Sequence, residues 1–261
     1  MGLITIFSTP VTSAETSLTA YFSNDSVNGF QLSDAYETHN MGVVYEKSGY
    51  YAKLDLGVVS PDMYVYRNQF REANRSFGEL VTLEVGQSQT ETGNLSLYGR
   101  VRLSGEFGID EMQDFAHKVL SLQPVNEVND LVRMPEDTWF GVGARYGTDV
   151  NVPLLGASKI SYDGYLGTDS TRITADLSQT ITRESFDINY AAGVHLVGYD
   201  EVVSAPPISA SERNFIPYAR VSVNFEVLGY DIYVQEVVSM PTISSDDSLY
   251  AVLDAGISFK F

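Results

Sequence analysis

The sequence contains no cysteine, which excludes disulfides, thiolate zinc sites and a cysteine nucleophile. It also lacks an apolar run of about 18 residues, so no helix crosses a bilayer and a closed barrel is the one membrane-spanning form left. Basic residues are scarce: 16 Lys and Arg stand against 34 Asp and Glu, a net charge of −18. A phosphate backbone finds too little counter-charge on such a chain, so nucleic acid is not an expected partner. Recognisable zinc spacings, a Gly-rich phosphate loop and a G-x-S-x-G elbow are missing as well. What the chain does have is aromatic mass. Its 13 Phe and 17 Tyr among 261 residues, with abundant Val, Leu and Ile, argue against disorder.

The first residues resemble the end of a secretory signal. Gly2 to Val11 is mostly apolar, and Thr12-Ser13-Ala14 supplies small residues before Glu15. The apolar part is short and no basic stretch precedes it, so a truncated signal peptide is expected over 1–14 and a single domain over 15–261.

From there, period two dominates. At the end of the chain Leu249, Ala251, Leu253, Ala255, Ile257, Phe259 and Phe261 share one face, while Tyr250, Asp254, Ser258 and Lys260 share the other. The same alternation sets Ala219, Val221, Val223, Phe225 and Val227 against Arg220, Ser222, Asn224 and Glu226, and recurs over 186–196. Strands of soluble sandwiches average about 5–6 residues, whereas a tilted strand crossing a bilayer needs about 9–11. These segments have the second length. Twelve strands are predicted, near 16–24, 38–46, 50–58, 77–87, 94–107, 138–148, 159–167, 171–180, 185–197, 215–227, 229–238 and 248–261. An even count, with tight turns on one side and longer loops on the other, is the pattern of a bacterial outer-membrane barrel. The inward face would then be polar, carrying Arg100, Arg102, Asn189, Arg220 and Gln235 among others. A soluble ligand-carrying barrel would line its pocket with apolar groups instead. The terminal Phe261 resembles the assembly signal of Gram-negative outer-membrane proteins.

One segment breaks the alternation. Asp110 to Leu120 reads as a short helix, with Asp110 as N-cap and Met112, Phe115, Ala116 and Val119 as one apolar stripe. That stripe is expected to anchor the helix on the barrel, with Gln113 and His117 on its flank. Elsewhere Asn24-Asp25 closes the first strand and Thr38 opens the second. Their hard oxygens suit calcium, and equally suit ordinary strand-end turns; spacing alone leaves both readings open.

The ordered set of Asn24-Asp25, Thr38 before Gly42 and Tyr45, Ser60-Pro61 followed by Arg67, Asn74-Arg75-Ser76-Phe77, Gln113-Asp-Phe-Ala-His117 and the terminal Phe261 resembles the lipid A 3′-O-deacylases. The resemblance spans 15–261. It implies a twelve-stranded antiparallel barrel in the outer membrane of a Gram-negative bacterium, with a short helix in an extracellular loop. It implies Ca²⁺-dependent hydrolysis of the 3′-linked acyloxyacyl ester of lipid A, with lipopolysaccharide of the outer leaflet as partner and a monomer as the working unit. Carried over by position, it gives His117 as the base that activates water and Gln113 as its neighbour. Asn24, Asp25 and Thr38 become active-site polar residues around the metal, and Arg67 a contact for lipid phosphate. His39 falls on the opposite face from Thr38, and His195 is expected in the lumen without a catalytic part. The rival reading is a small barrel that serves as a pore or anchor, since inward arginines also suit a diffusion channel. A soluble ligand-binding barrel ranks third.

Overall fold

In the computed structural model the alternating segments become long antiparallel strands. The structure describes residues 16–24, 36–61, 76–88, 93–109, 112, 115, 119, 132–133, 136–153, 155–200, 215–239 and 250–261. The N-terminal 15 residues, which carry the expected signal segment, lie outside this set. Thirteen strands follow in order: β1 (Thr16–Asn24), β2 (Tyr36–Lys47), β3 (Tyr50–Pro61), β4 (Ser76–Gln87), β5 (Leu95–Gly105), β6 (Val132–Arg133) and β7 (Asp137–Val152). Then come β8 (Gly156–Gly167), β9 (Ser170–Thr182), β10 (Phe186–Asp200), β11 (Phe215–Val227), β12 (Tyr230–Ser239) and β13 (Tyr250–Lys260).

Twelve of them close a barrel in which each strand pairs antiparallel with its sequence neighbour, and β1 seals the ring against β13 from Ser17 opposite Lys260 to Asn24 opposite Leu253. All twelve were legible from the alternation. The thirteenth, β6, was not: it pairs Val132 and Arg133 in parallel with Ser76 and Phe77 at the start of β4. A two-residue strand has no period to read.

The two ends of the barrel differ. At one end, Ser48-Gly49 and Leu228-Gly229 form two-residue turns with positive φ at both positions, the geometry that matches strand twist. The other end carries the connections 25–35, 62–75, 106–136, 201–214 and 240–249, with 168–169 as the one short link there.

Burial is inverted relative to a soluble protein. Leu54, Leu83, Leu97, Val142, Ile173, Val221 and Val234 are exposed on the outer wall. Aromatic residues flank this aliphatic band: Tyr45, Phe186 and Tyr230 near the tight turns, Phe140 and Phe215 near the long connections. Tyr230 and Phe259 meet edge-on at 5.1 Å between ring centroids. An apolar band between two aromatic girdles is what a lipid bilayer selects. On β13, Asp254 is fully buried and Ser258 accepts a lumenal hydrogen bond from Thr19 at 3.0 Å, as the alternation predicted. Leu249 lies outside the described residues.

The lumen is filled by paired charges and tyrosines. Glu84 Oε2 accepts from Arg100 Nε and Nη2 at 2.9 and 2.5 Å, and its Oε1 accepts from Arg145 Nη2 at 2.7 Å and the Tyr51 hydroxyl at 2.6 Å. Arg145 Nε also donates to Asp163 at 3.1 Å, and Asp163 takes the Tyr98 hydroxyl at 2.7 Å. Arg102 Nη1 donates to the fully buried Asp169 at 2.7 Å, which also accepts from Tyr165 at 2.8 Å. Guanidinium groups stack on the rings, Arg145 over Tyr98 at 4.2 Å and Arg100 over Tyr165 at 4.5 Å. The rings reach this far because they lie over glycines: a Cβ on Gly143 would collide with Tyr98, and one on Gly141 with Tyr165. Of the three arginines that had suggested a channel, Arg100 and Arg102 are thus buried partners of carboxylates, and Arg220 is equally buried.

Two adjacent residues of β4 test both faces at once. Leu83→Arg places a charge in lipid and should cost about 2–4 kcal/mol. Glu84→Gln strips the buried Arg100 of its carboxylate and leaves Arg145 with Asp163 alone, and should cost about 3–5 kcal/mol. Urea titration of the protein refolded into vesicles measures both; a cost below about 1 kcal/mol for either would contradict the assigned faces.

Candidate functional site

The candidate residues gather, where they are described, at the end with the long connections. Asn24 is the last residue of β1 and faces His39 of β2 in the register, so Thr38 occupies the next position along. Thr38 in turn faces Val59 of β3, and one residue further down β3, Val58 faces Glu79 of β4. The side chains of Asn24, Thr38 and His39 are not among those described. Asp25, Arg67, Gln113 and His117 lie outside the described residues altogether. Among the described residues, no group of three or more His, Cys, Asp or Glu converges as a metal site would require.

What the structure does add is the anchorage of the segment that carries Gln113 and His117. After β5 the chain turns at Gly108, whose φ of 71° is natural only for glycine. Helical geometry is in place at Ile109, Met112, Phe115 and Val119, and the Met112 N–H donates to the Gly108 carbonyl at 3.4 Å. The helix therefore begins before Asp110, the N-cap expected from sequence. Its first amides are held from outside the helix: Glu79 Oε2 accepts from Phe107 N at 2.5 Å and Ile109 N at 3.2 Å. A carboxylate at a helix N-terminus satisfies free N–H groups and favours the local dipole.

This contact sits on the outside of the barrel. Along β4, Thr82 and Glu84 are buried inward while Leu83 and Val85 are exposed outward, which gives Glu79 the outward parity of Val81. Ile109 is 3% exposed and packs on Leu56 and Val81, both of the outer wall. The expected anchor stripe is thus corrected. Met112, Phe115 and Val119 are exposed, at 41%, 68% and 66%, and Ile109 makes the contact instead. Ala116 lies outside the described residues. Periodicity fixed which residues share a stripe but not which way the stripe faces, because lipid and a barrel wall are both apolar partners.

The far side of the same connection returns to the same place, since β6 pairs with the start of β4. Both fastenings, at Ile109 and at Val132–Arg133, lie on β3–β4. Neighbouring strands are about 4.8 Å apart, so the helix start stands roughly 10 Å around the wall from β2 and its Thr38. Glu79 was missed in the sequence, although a signal was present. It is the one charge in the outward series Glu79, Val81, Leu83, Val85.

His195 is where the alternation put it. Its Nδ1 lies 2.8 Å from Thr174 Oγ1 and its ring stacks on Tyr218 at 4.4 Å, inside the barrel on β10. Three strands, β11 to β13, separate it from β1.

No family model and no curated protein sequence matches the chain. Among solved structures, LpxR from Salmonella typhimurium superposes with a TM-score of 0.65 at 13% identity, covering 94% of this chain and 100% of that one. A structure of the NanC porin and an outer membrane channel from Pseudomonas putida F1 each give a TM-score of 0.48, at 9% and 12% identity. They cover 94% and 96% of this chain, and 100% and 97% of their own. The resemblance to the lipid A 3′-O-deacylase barrels is therefore met at the level of the fold. The chain is a twelve-stranded, multi-pass β-barrel of the outer membrane.

The Glu79 clasp has a direct test. In Glu79→Ala, hydrogen exchange at the Phe107 and Ile109 amides should accelerate by roughly tenfold or more, the scale of losing a hydrogen bond to a charged acceptor. The strand amides of β4 and β5 should keep their protection. Unchanged exchange at Phe107 and Ile109 would show that the carboxylate does not hold the helix.

Proposed function

We propose that the protein is a lipid A deacylase that hydrolyses the 3′-linked acyloxyacyl ester from the outer leaflet, with His117 as general base. The supporting observation is the anchorage of the helical connection on the outer wall of β3–β4, beside the β1 and β2 ends that carry Asn24 and Thr38. Spacing adds to it: residues 109, 113 and 117 are four apart, so on a continuous helix Gln113 and His117 share the stripe that Ile109 lays on the barrel. A histidine there faces the strand ends across about 80 residues of sequence, next to lipid and without a path through the lumen.

The chemistry follows from the residue types. Neutral His117 takes a proton from water, the water oxygen attacks the ester carbonyl, and the acyl–oxygen bond breaks. The products are a free carboxylic acid and the sugar hydroxyl, which receives the proton. Gln113 orients the imidazole or the water, and Arg67 forks onto a lipid phosphate. The oxygen donors of Asn24, Asp25 and Thr38 fit calcium by their hardness. Calcium held there would supply Lewis-acid polarisation of the ester carbonyl. A single histidine among oxygens is a poor match to zinc. The rival reading as an open diffusion pore loses its main support, because Arg100 and Arg102 are spent on lumenal ion pairs.

Mass spectrometry of lipid A from cells expressing each variant tests the reading. His117→Ala should insert normally and lose at least about a hundredfold in deacylation, the scale of a general base. His39→Ala and His195→Ala should retain most activity. Chelation should abolish deacylation in the wild type and calcium restore it, whereas Asp25→Ala should respond weakly to added calcium. Three equal, small effects among the histidines would reduce the helix to a structural element, and full activity in chelator would remove calcium from the mechanism.

A further inference from the structure

The helical connection presents an apolar face that none of the described residues covers. Phe107, Met112, Phe115 and Val119 are all exposed, at positions that start from the outer wall rather than from the lumen or the barrel rim. Phe107 packs across Gly105, where a Cβ would stand 3.2 Å from its ring, and Gly105 has the outward parity of Leu97 and Leu103. Glu79, the residue that fastens the helix start, is the fourth of β4 counted from the long-connection end, and below it on the same face come Val81, Leu83 and Val85. The helix thus leaves the barrel at the upper edge of the lipid-facing band. Its exposed residues continue the surface that the bilayer already covers.

We infer that this helix is an interfacial membrane element, whose Met112, Phe115 and Val119 face dips into the acyl layer of the outer leaflet while Glu79 and Ile109 hold its start to the barrel. Three observations select lipid over other occupants. The patch is continuous with the established lipid-facing wall through Ile109, Leu56 and Val81. Spacings of three and four residues place Met112, Phe115 and Val119 on one side of a helix, as an in-plane amphipathic helix requires. A carboxylate on the lipid-facing wall is tolerable only when its charge is met, and the Phe107 and Ile109 amides meet it. The helix start is therefore fixed at a depth where neighbouring side chains meet lipid. The inference needs only the barrel in its membrane, and it stands whether or not the protein cleaves lipid A.

The absence of cysteine makes the experiment clean. Met112→Cys, Phe115→Cys and Val119→Cys are made singly in the full chain, spin-labelled, and refolded into phosphatidylcholine vesicles, with folding verified by the heat-dependent gel mobility of a closed barrel. Collision rates with oxygen, which concentrates in acyl chains, and with a water-soluble nickel chelate are then compared. Leu97→Cys on the outer wall serves as the lipid reference. Leu228→Cys, at a turn position 92% exposed, serves as the aqueous one. The oxygen-to-chelate ratio at positions 112, 115 and 119 is expected to match Leu97→Cys and to exceed Leu228→Cys severalfold. A ratio equal to that of Leu228→Cys would place the helix in water and overturn the inference. Low collision rates with both reagents would reveal a protein cover, from a second copy or another partner, and overturn it equally. Three separate sites guard against a single variant that fails to fold.

Discussion

Every backbone amide in hydrocarbon needs a partner within the protein, and the ring closed by β1 against β13 is the solution on which the rest of this molecule depends. Closure removes sheet edges, but it also fixes a consequence for side chains. With lipid outside, apolar residues gain nothing by turning inward, so the period-two pattern points its polar half at the lumen. The lumen must then satisfy what it receives. Glu84 between Arg100 and Arg145, Asp163 between Arg145 and Tyr98, and Asp169 between Arg102 and Tyr165 do so as linked sets rather than isolated pairs. Each guanidinium meets both a carboxylate and a ring face or hydroxyl, which answers the cost of taking it out of water. A lumen built this way is a core.

That division explains the asymmetry of the ends. Tight turns such as Ser48-Gly49 and Leu228-Gly229 spend few residues and set the register of the hairpins above them. The long connections lie at the opposite end, and the described residues of one of them meet the outer wall of the barrel. It leaves β5, lays Ile109 on the wall of β3–β4, and returns through β6 to the top of β4 before entering β7. Glu79 and Ile109 thus place the start of this segment against the lipid-facing wall rather than over the lumen.

The sequence showed the barrel well because its signal is redundant: twelve segments of about ten residues each repeat one alternation, and an error in one leaves the others standing. It also placed Asp254, Ser258, Arg102, Asn189 and Gln235 on the correct side. Single, non-periodic facts were harder. Ile109 lay one residue before the expected helix, and its role as anchor depends on Leu56 and Val81, which are distant in sequence. The facing of the Met112–Phe115–Val119 stripe could not be read from spacing, since a helix between wall and lipid has apolar surroundings on two sides. Of the residues assigned by resemblance, Asn24 stands opposite His39 in the register, one position from Thr38; Asp25, Arg67, Gln113 and His117 lie outside the described residues.

Glu79 joins these levels. A carboxylate in an otherwise apolar outward series is costly, and a chain has cheaper ways to end a strand. The Phe107 and Ile109 amides help to offset that cost while they stay in place. Detaching the helix would take both donors from the carboxylate at the same moment as it freed the Phe107 and Ile109 N–H groups. The two penalties reinforce each other, so the helix start and the barrel wall behave as one body. The rigidity of the closed sheet thus reaches the helix start through the Glu79 carboxylate and through Ile109 packed on Leu56 and Val81.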